Sequence, residues 1–137
     1  MTPLSTATLL VICVGLYFAW KLFAPVHRRI HPWDVYVIDG DTLSISHPDG
    51  TNERVRVSNL DAPEISGFKC LWQGHAGTKA RNEVCSLLTR ASSVTLKTSG
   101  VDRYGRTLAR VTITTEEGSV DVGRHLIKKG LARRWHR

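Results

Sequence analysis

Trp33-Asp-Val-Tyr-Val-Ile38, then Asp39-Gly40-Asp41-Thr42, then Leu43-Ser-Ile45, and beyond Pro48-Asp49-Gly50-Thr51 the run Val55-Arg-Val-Ser-Asn-Leu60-Asp61, decide the fold of this 137-residue chain. Trp33, Val35 and Val37 alternate with Asp34, Tyr36 and Ile38, the period-two signature of a half-buried strand. Asp39-Gly40 is turn chemistry, and Leu43 and Ile45 continue as a second strand. Pro48 to Thr51 is a hairpin turn. The second strand therefore pairs antiparallel with a third, in which Val55, Val57 and Asn59 alternate with Arg56, Ser58 and Leu60.

Outward from this core, Asp61 to Gly74 reads as a loop with Pro63 and Gly67. Ala76, Ala80, Val84, Leu87 and Leu88 then fall at i, i+4, i+8, i+11 and i+12, the stripe of an amphipathic helix. Val94 and Leu96 mark a fourth strand, which Ser99-Gly100 should break. Leu108 to Thr114 reads as a fifth, turned by Glu116-Glu117-Gly118. Val122 to Lys129 is a short second helix closed by Gly130. Five short strands with a helix after the third predict an α+β fold, a five-stranded Greek-key barrel of the OB type with two helices.

Residues 1–24 differ from the rest. No charge occurs from Thr2 to Trp20, and Ala7 to Trp20 is almost wholly apolar. That span is just long enough for a transmembrane helix, with Tyr17 and Trp20 where interfacial aromatics belong. A cleaved signal peptide is the alternative, but it normally carries a positive segment before its apolar run, and Ala19 and Ala24 make a poor cleavage site. Residues 25–32, with His27-Arg28-Arg29, read as a juxtamembrane linker, and residues 33–137 as one domain, expected to be a monomer. Lys21, Arg28 and Arg29 all follow the span, which by the positive-inside rule favours a cytoplasmic domain.

All 12 acidic residues lie from Asp34 onward, with 16 of the 19 Lys and Arg, a formal +4. This suits a polyanionic partner without specifying one. Cys13 sits in the apolar segment. Cys70 and Cys85 could be free or bridged, depending on compartment. A zinc site using both with His75 lacks CxxC spacing and a fourth ligand.

Three motifs carry the chemistry: Asp39-Gly40-Asp41-Thr42, Arg56-Val-Ser-Asn-Leu-Asp61-Ala-Pro-Glu64, and Asp102-Arg103-Tyr104-Gly105-Arg106. Each alone reads as a turn or a charged loop. Together they provide carboxylates for a hard cation, a further carboxylate for a proton, and arginines for an anion. That is the equipment of metal-assisted phosphodiester cleavage. Arg56 and Asp61 are five apart, so strict alternation puts them on opposite faces unless a bend near Ser58-Asn59 re-aims one. An Arg56–Glu53 pair is the plain alternative.

In order and spacing, these motifs resemble the staphylococcal nuclease (thermonuclease) family, from about Asp34 to about Arg133. The resemblance implies calcium-dependent hydrolysis of DNA and RNA phosphodiesters at the 5′-oxygen, leaving 3′-phosphates. It implies Asp41 and Asp61 as metal carboxylates and the backbone carbonyl of Ala62, where the family's best-known member has Thr, as the third protein ligand. Asp39 supports them or builds the turn. Arg56 and Arg106 stabilise charge, and Glu64 orients or deprotonates the attacking water. Arg103 and Tyr104 match a lysine and tyrosine that contact the terminal phosphate or base. Family members are commonly exported, so the resemblance places the domain on the exported side, against the charge rule.

Two features depart from the family pattern. The archetype continues past Gly-Leu-Ala into a third helix, whereas here Gly130 to Arg137 follows. Its substrate-stacking tyrosines are not matched cleanly, and Trp135 or His136 is expected in their place. The rival reading is a non-catalytic OB-type module that holds single-stranded nucleic acid or an oligosaccharide. Three carboxylates facing a polyanion argue against pure binding.

Overall fold

The computed structural model describes residues 6–23, 26–63, 65 and 71–135. Helix α1 spans Thr6–Phe23, β1 Val26–Ile30, and a 3-10 turn Pro32–Asp34 leads into β2, Val35–Asp39. Then come β3 (Thr42–Ser46), β4 (Asn52–Val57), β5 (Leu60–Asp61), α2 (Leu71–Thr89), β6 (Ala91–Val101), β7 (Thr107–Thr115), β8 (Gly118–Asp121), α3 (Val122–Lys128) and β9 (Arg133–Arg134). The fold is α+β.

The main sheet runs β1-β6-β7-β4-β3-β2, with β8 also on β7. Strand β7 holds β6 along one edge. Along the other it holds β4 in parallel at Thr107–Ala109 and β8 antiparallel at Thr112–Thr115. The predicted hairpin is confirmed: β3 and β4 pair from Thr42↔Arg56 to Ser46↔Asn52. Inward positions of the alternating runs, Val37, Leu43, Ile45, Val55, Val57, Val94, Leu96, Val111 and Ile113, form one core with Ala80, Val84 and Leu87 of α2 and Val122 and Leu126 of α3.

The strand count of five is corrected to seven in the main sheet plus the β5–β9 pair, among the described residues. Three differences account for this, and a fourth alters β6 without changing the count. Residues Val26–Ile30, read as linker, form an edge strand whose backbone pairs with β6 from Val26↔Thr98 to Ile30↔Val94. The third strand stops at Val57, and Leu60–Asp61 leaves it to pair with Arg133–Arg134. Gly118–Asp121 extends the Glu116-Glu117 turn into a strand. Ser99-Gly100 does not break β6 but shifts its register, a bulge that leaves the ladder intact to Val101.

The transmembrane expectation for residues 1–24 is also corrected. Thr6–Phe23 is helical, but among the described residues no helix is long and apolar enough to cross a membrane.

The sheet is curled. Arg28 of β1 donates both guanidinium nitrogens to Glu53 of β4, at 2.9 and 2.7 Å, although β6 and β7 lie between those strands in the sheet order. In a flat sheet three strand spacings are roughly 14 Å. Glu53 also accepts from the Thr107 hydroxyl at 2.6 Å and contacts His47 Nε2 at 3.1 Å. The Arg56–Glu53 pairing considered from sequence is therefore replaced by an Arg28–Glu53 pair. Cys13 and Cys85 are free thiols. Cys70 lies outside the described residues, and so does any bridge or zinc site using it.

Candidate active site

The site begins at the turn between β2 and β3, which α2 clamps. A Cβ at Gly40 would sit 2.7 Å from the Ala80 Cβ and 3.0 Å from that of Ala62. Only glycine lets the helix and the Ala62 segment close on the turn. This packing buries the adjacent Asp41.

Asp41 is nonetheless well partnered. Its Oδ1 accepts from the Thr42 hydroxyl at 2.9 Å, and its Oδ2 accepts from Arg56 Nη1 at 2.9 Å and from the Ala62 amide at 3.2 Å. Its carbonyl accepts the Val57 amide at 2.8 Å. Arg56 Nη2 donates to Asp61 Oδ1 at 3.1 Å. One guanidinium thus joins two carboxylates of opposite exposure, the Asp41 side chain 5% and the Asp61 side chain 55% exposed.

Arg56 and Asp61 meet because the chain turns at Ser58-Asn59. The Ser58 amide donates to Ala109 O at 2.9 Å, and Asn59 Nδ2 donates to Asp121 Oδ1 at 3.0 Å. Asp121 also caps α3 by accepting the Arg124 amide at 2.8 Å. The break resets the alternation, so a five-residue separation no longer means opposite faces. Asp39 accepts the Ile65 amide at 3.2 Å and stands behind Asp41 as a loop anchor.

The second arginine is set by a different device. Asp102 Oδ1 accepts the amides of Tyr104 and Arg106 at 2.8 and 2.9 Å, and its Oδ2 accepts Arg106 Nε at 2.7 Å. Gly105, at φ +77°, closes this loop in the left-handed region. Desolvation works against the Asp102 carboxylate. The amide and guanidinium of Arg106, with the Tyr104 amide, outweigh it and hold the carboxyl below its usual range. Arg103 and Arg106 lie 4.8 and 5.4 Å from the Tyr104 ring centre.

Arg56, Arg103, Tyr104 and Arg106 line one cleft of about 410 Å³. Asp41, Asp61 and Ala62 gather at its Arg56 wall through the bonds above. Glu64 lies outside the described residues. Sequence reasoning gave Asp102 no role of its own and named Trp135 only as a stand-in for substrate-stacking tyrosines. Asp102 was legible in principle, because Asp followed by Tyr-Gly is loop chemistry in which a carboxylate collects amides. Trp135, whose ring centre is 5.3 Å from the Arg56 guanidinium carbon, carried no such signal, since the β5–β9 pairing that brings it there spans two residues per strand.

The donor set tests what cation would fit. Among the described residues no group of three or more His, Cys, Asp and Glu side chains could hold a metal. Asp41 and Asp61 offer only hard oxygen, and they already converge on one cationic group. That composition fits a hard divalent cation whose remaining ligands are main-chain oxygen and water, and it does not fit zinc.

The profile of the family described as "Staphylococcal nuclease homologue" matches residues 54–137. Endonuclease YhcR of Bacillus subtilis (strain 168) is 33% identical over 102 residues, covering 70% of this chain and 8% of that protein. Thermonuclease of Staphylococcus intermedius is 35% identical over 97 residues, covering 71% of this chain and 55% of that protein. The chain thus spans just over half of one relative and a small part of the other. The profile takes in Arg56, Asp61 and the whole Asp102–Arg106 loop, and on that match the chain belongs to the staphylococcal nuclease homologue family.

Proposed function

We propose that this chain is a calcium-dependent nuclease that hydrolyses phosphodiester bonds of DNA and RNA on a barrel of the OB type, acting as a monomer. The observation that carries the reading is Arg56 drawing Asp41 and Asp61 together at the wall of a cleft that also holds Arg106. Asp41, Asp61 and the Ala62 carbonyl would hold the cation, which when bound would withdraw charge from a phosphoryl oxygen. Arg56 and Arg106 face the same cleft and can grip the remaining phosphoryl oxygens as negative charge builds on them. Glu64 is assigned the proton of the attacking water, and the 5′-oxygen departs. Arg103 and Tyr104 hold the terminal phosphate or base.

The test is degradation of plasmid and RNA by residues 26–137, with calcium and then with chelator, beside Arg106→Lys. Lysine keeps the charge but loses the fork, and the rate should fall on the order of 10²- to 10³-fold. Activity indifferent to chelator, or Arg106→Lys at full rate, would sink the reading. Binding without any cutting would favour the non-catalytic module.

Attachment to a lipid surface through residues 1–24, with the domain on the exported side, is proposed as well. It is supported by the exposed apolar side chains of α1, among them Leu9, Leu10, Val11, Ile12 and Leu16. Full-length protein recovered wholly from the soluble fraction would overturn it.

A further inference from the structure

The cleft between Tyr104 and Arg56 occupies one side of Asp61. On the other side lies a second groove of about 470 Å³, lined by Asp61, Ala62, Pro63, Ala76 and the Gly130–Arg133 segment. It runs on into a smaller hollow of about 190 Å³ that shares Pro63, Ala76, Gly130 and Leu131 and adds His75 and Lys79 from α2. The two share Pro63, Ala76, Gly130 and Leu131 and form one trough between α2 and the chain entering β9.

Its chemistry is uneven. The floor is apolar and small: Pro63, Ala76, Leu131 and Ala132. The rim carries Lys79, His75 and Arg133, all exposed and all without an ion-pair partner among the described residues. Several other cations are engaged, Arg28 with Glu53, Arg106 with Asp102 and Lys129 with Glu83, while Lys97 on β6 is, like the three rim residues, without an ion pair among the described residues. Among the described residues the one acid lining the trough is Asp61, and its carboxylate is already bonded to Arg56, which lines the cleft. An apolar floor beneath cations without ion-pair partners suits the sugar and base of a strand whose phosphates meet the rim.

We propose that this trough is a second single-strand subsite, receiving the nucleic acid that continues past Asp61, with Lys79 and Arg133 on its phosphates. The substrate then lies across the site from the Tyr104 cleft to α2, with the reacting bond between the two recesses. This deepens the nuclease reading and rests on it.

Fluorescence anisotropy with single-stranded oligonucleotides of about 3 to 15 nucleotides, in chelator and over a range of salt, tests the subsite. Wild-type affinity should rise with length. Lys79→Ala should lower the slope of log affinity against log salt by about 0.7 for the longer strands, and adding Arg133→Ala by about that much again. Lys79→Glu should weaken long strands further, while Lys97→Ala on β6, which removes the same net charge as Lys79→Ala but away from the trough, should keep the wild-type slope and length dependence. Circular dichroism confirms folding of each variant. Lys79→Glu with wild-type affinity and slope, or Lys97→Ala lowering the slope as much as Lys79→Ala, overturns the subsite. Plasmid cutting by the same preparations keeps the two readings apart. Cutting with an unchanged Lys79→Glu slope sinks only the subsite, a lowered slope without cutting sinks only the nuclease, and neither binding nor cutting sinks both.

Discussion

Glu53→Gln should produce a stability loss that depends on pH in a defined direction. The Glu53 carboxyl is held at about 2, against an ordinary 4.5. Hydrogen bonds from Arg28 are the main cause; desolvation opposes them, and the Thr107 hydroxyl, the Arg28 charge and His47 add to them. A carboxyl whose folded value lies below its unfolded value stabilises the fold fully above pH 4.5. That contribution then fades as pH falls toward 2. The difference converts to a ceiling of roughly 3.4 kcal/mol. The side chains of Arg28 and Glu53 are 32% and 20% exposed, and solvent screening brings the expected effect to about 1–2 kcal/mol. Urea unfolding of wild type, Glu53→Gln and Arg28→Ala at pH 7, 4.5, 3 and 2 measures it. At pH 7 both variants should be less stable than wild type by that amount. The Glu53→Gln gap should shrink below pH 4.5 and close near pH 2. A gap that stays constant from pH 7 to 2 would refute the reasoning, because the network would then act by packing and not by charge. Arg28→Ala at wild-type stability would show instead that β1 is not bound to the barrel through this pair.

Three further outcomes follow from the geometry. Asp102→Ala frees the amides of Tyr104 and Arg106 and the Arg106 guanidinium; cutting should slow at least roughly tenfold, about 1.4 kcal/mol, with a smaller loss in unfolding free energy, and steady-state rates beside urea melts separate the two. Gly40→Ala forces a methyl against Ala80 and should cost about 1–3 kcal/mol in urea unfolding; no change would mean the α2 contact yields freely. Trp135→Ala removes a cation–π contact of about 0.5–1 kcal/mol from Arg56, so oligonucleotide affinity or rate should fall about two- to fivefold, with Trp135→Phe recovering part.

Much of the fold was legible because its signals are local. Val35/Val37, Leu43/Ile45 and Val55/Val57 alternate, Pro48-Asp49-Gly50 turns, and Ala80, Val84 and Leu87 repeat at helical spacing, so these elements stand where the pattern puts them. What was illegible depends on contacts distant in sequence. Nothing in Val-His-Arg-Arg-Ile announces a strand until β6 is there to pair with it. Leu60–Asp61 looked like the tail of the third strand because alternation cannot see Asn59 drawn away to Asp121. The site divides the same way. The residue types and their order in the three motifs pointed to one constellation, while the convergence of Arg56 on both aspartates needed the break at Ser58, which sequence could offer only as one option. Trp135 was named only as a stand-in for stacking tyrosines, and its contact with Arg56 had no local trace.

The two-residue ladder between β5 and β9 has a consequence for how the molecule comes into being. Leu60 pairs with Arg134 and Asp61 with Arg133, so the segment bearing one of the two aspartates is fastened by residues that follow both α2 and α3 in the chain. Until they arrive, Asp61 has no strand partner, Trp135 cannot cover Arg56, and the wall between the cleft and the trough is missing. A nascent or truncated chain can thus acquire much of its sheet while its reactive centre is still unassembled. Competence is conferred by that clasp and not by the core.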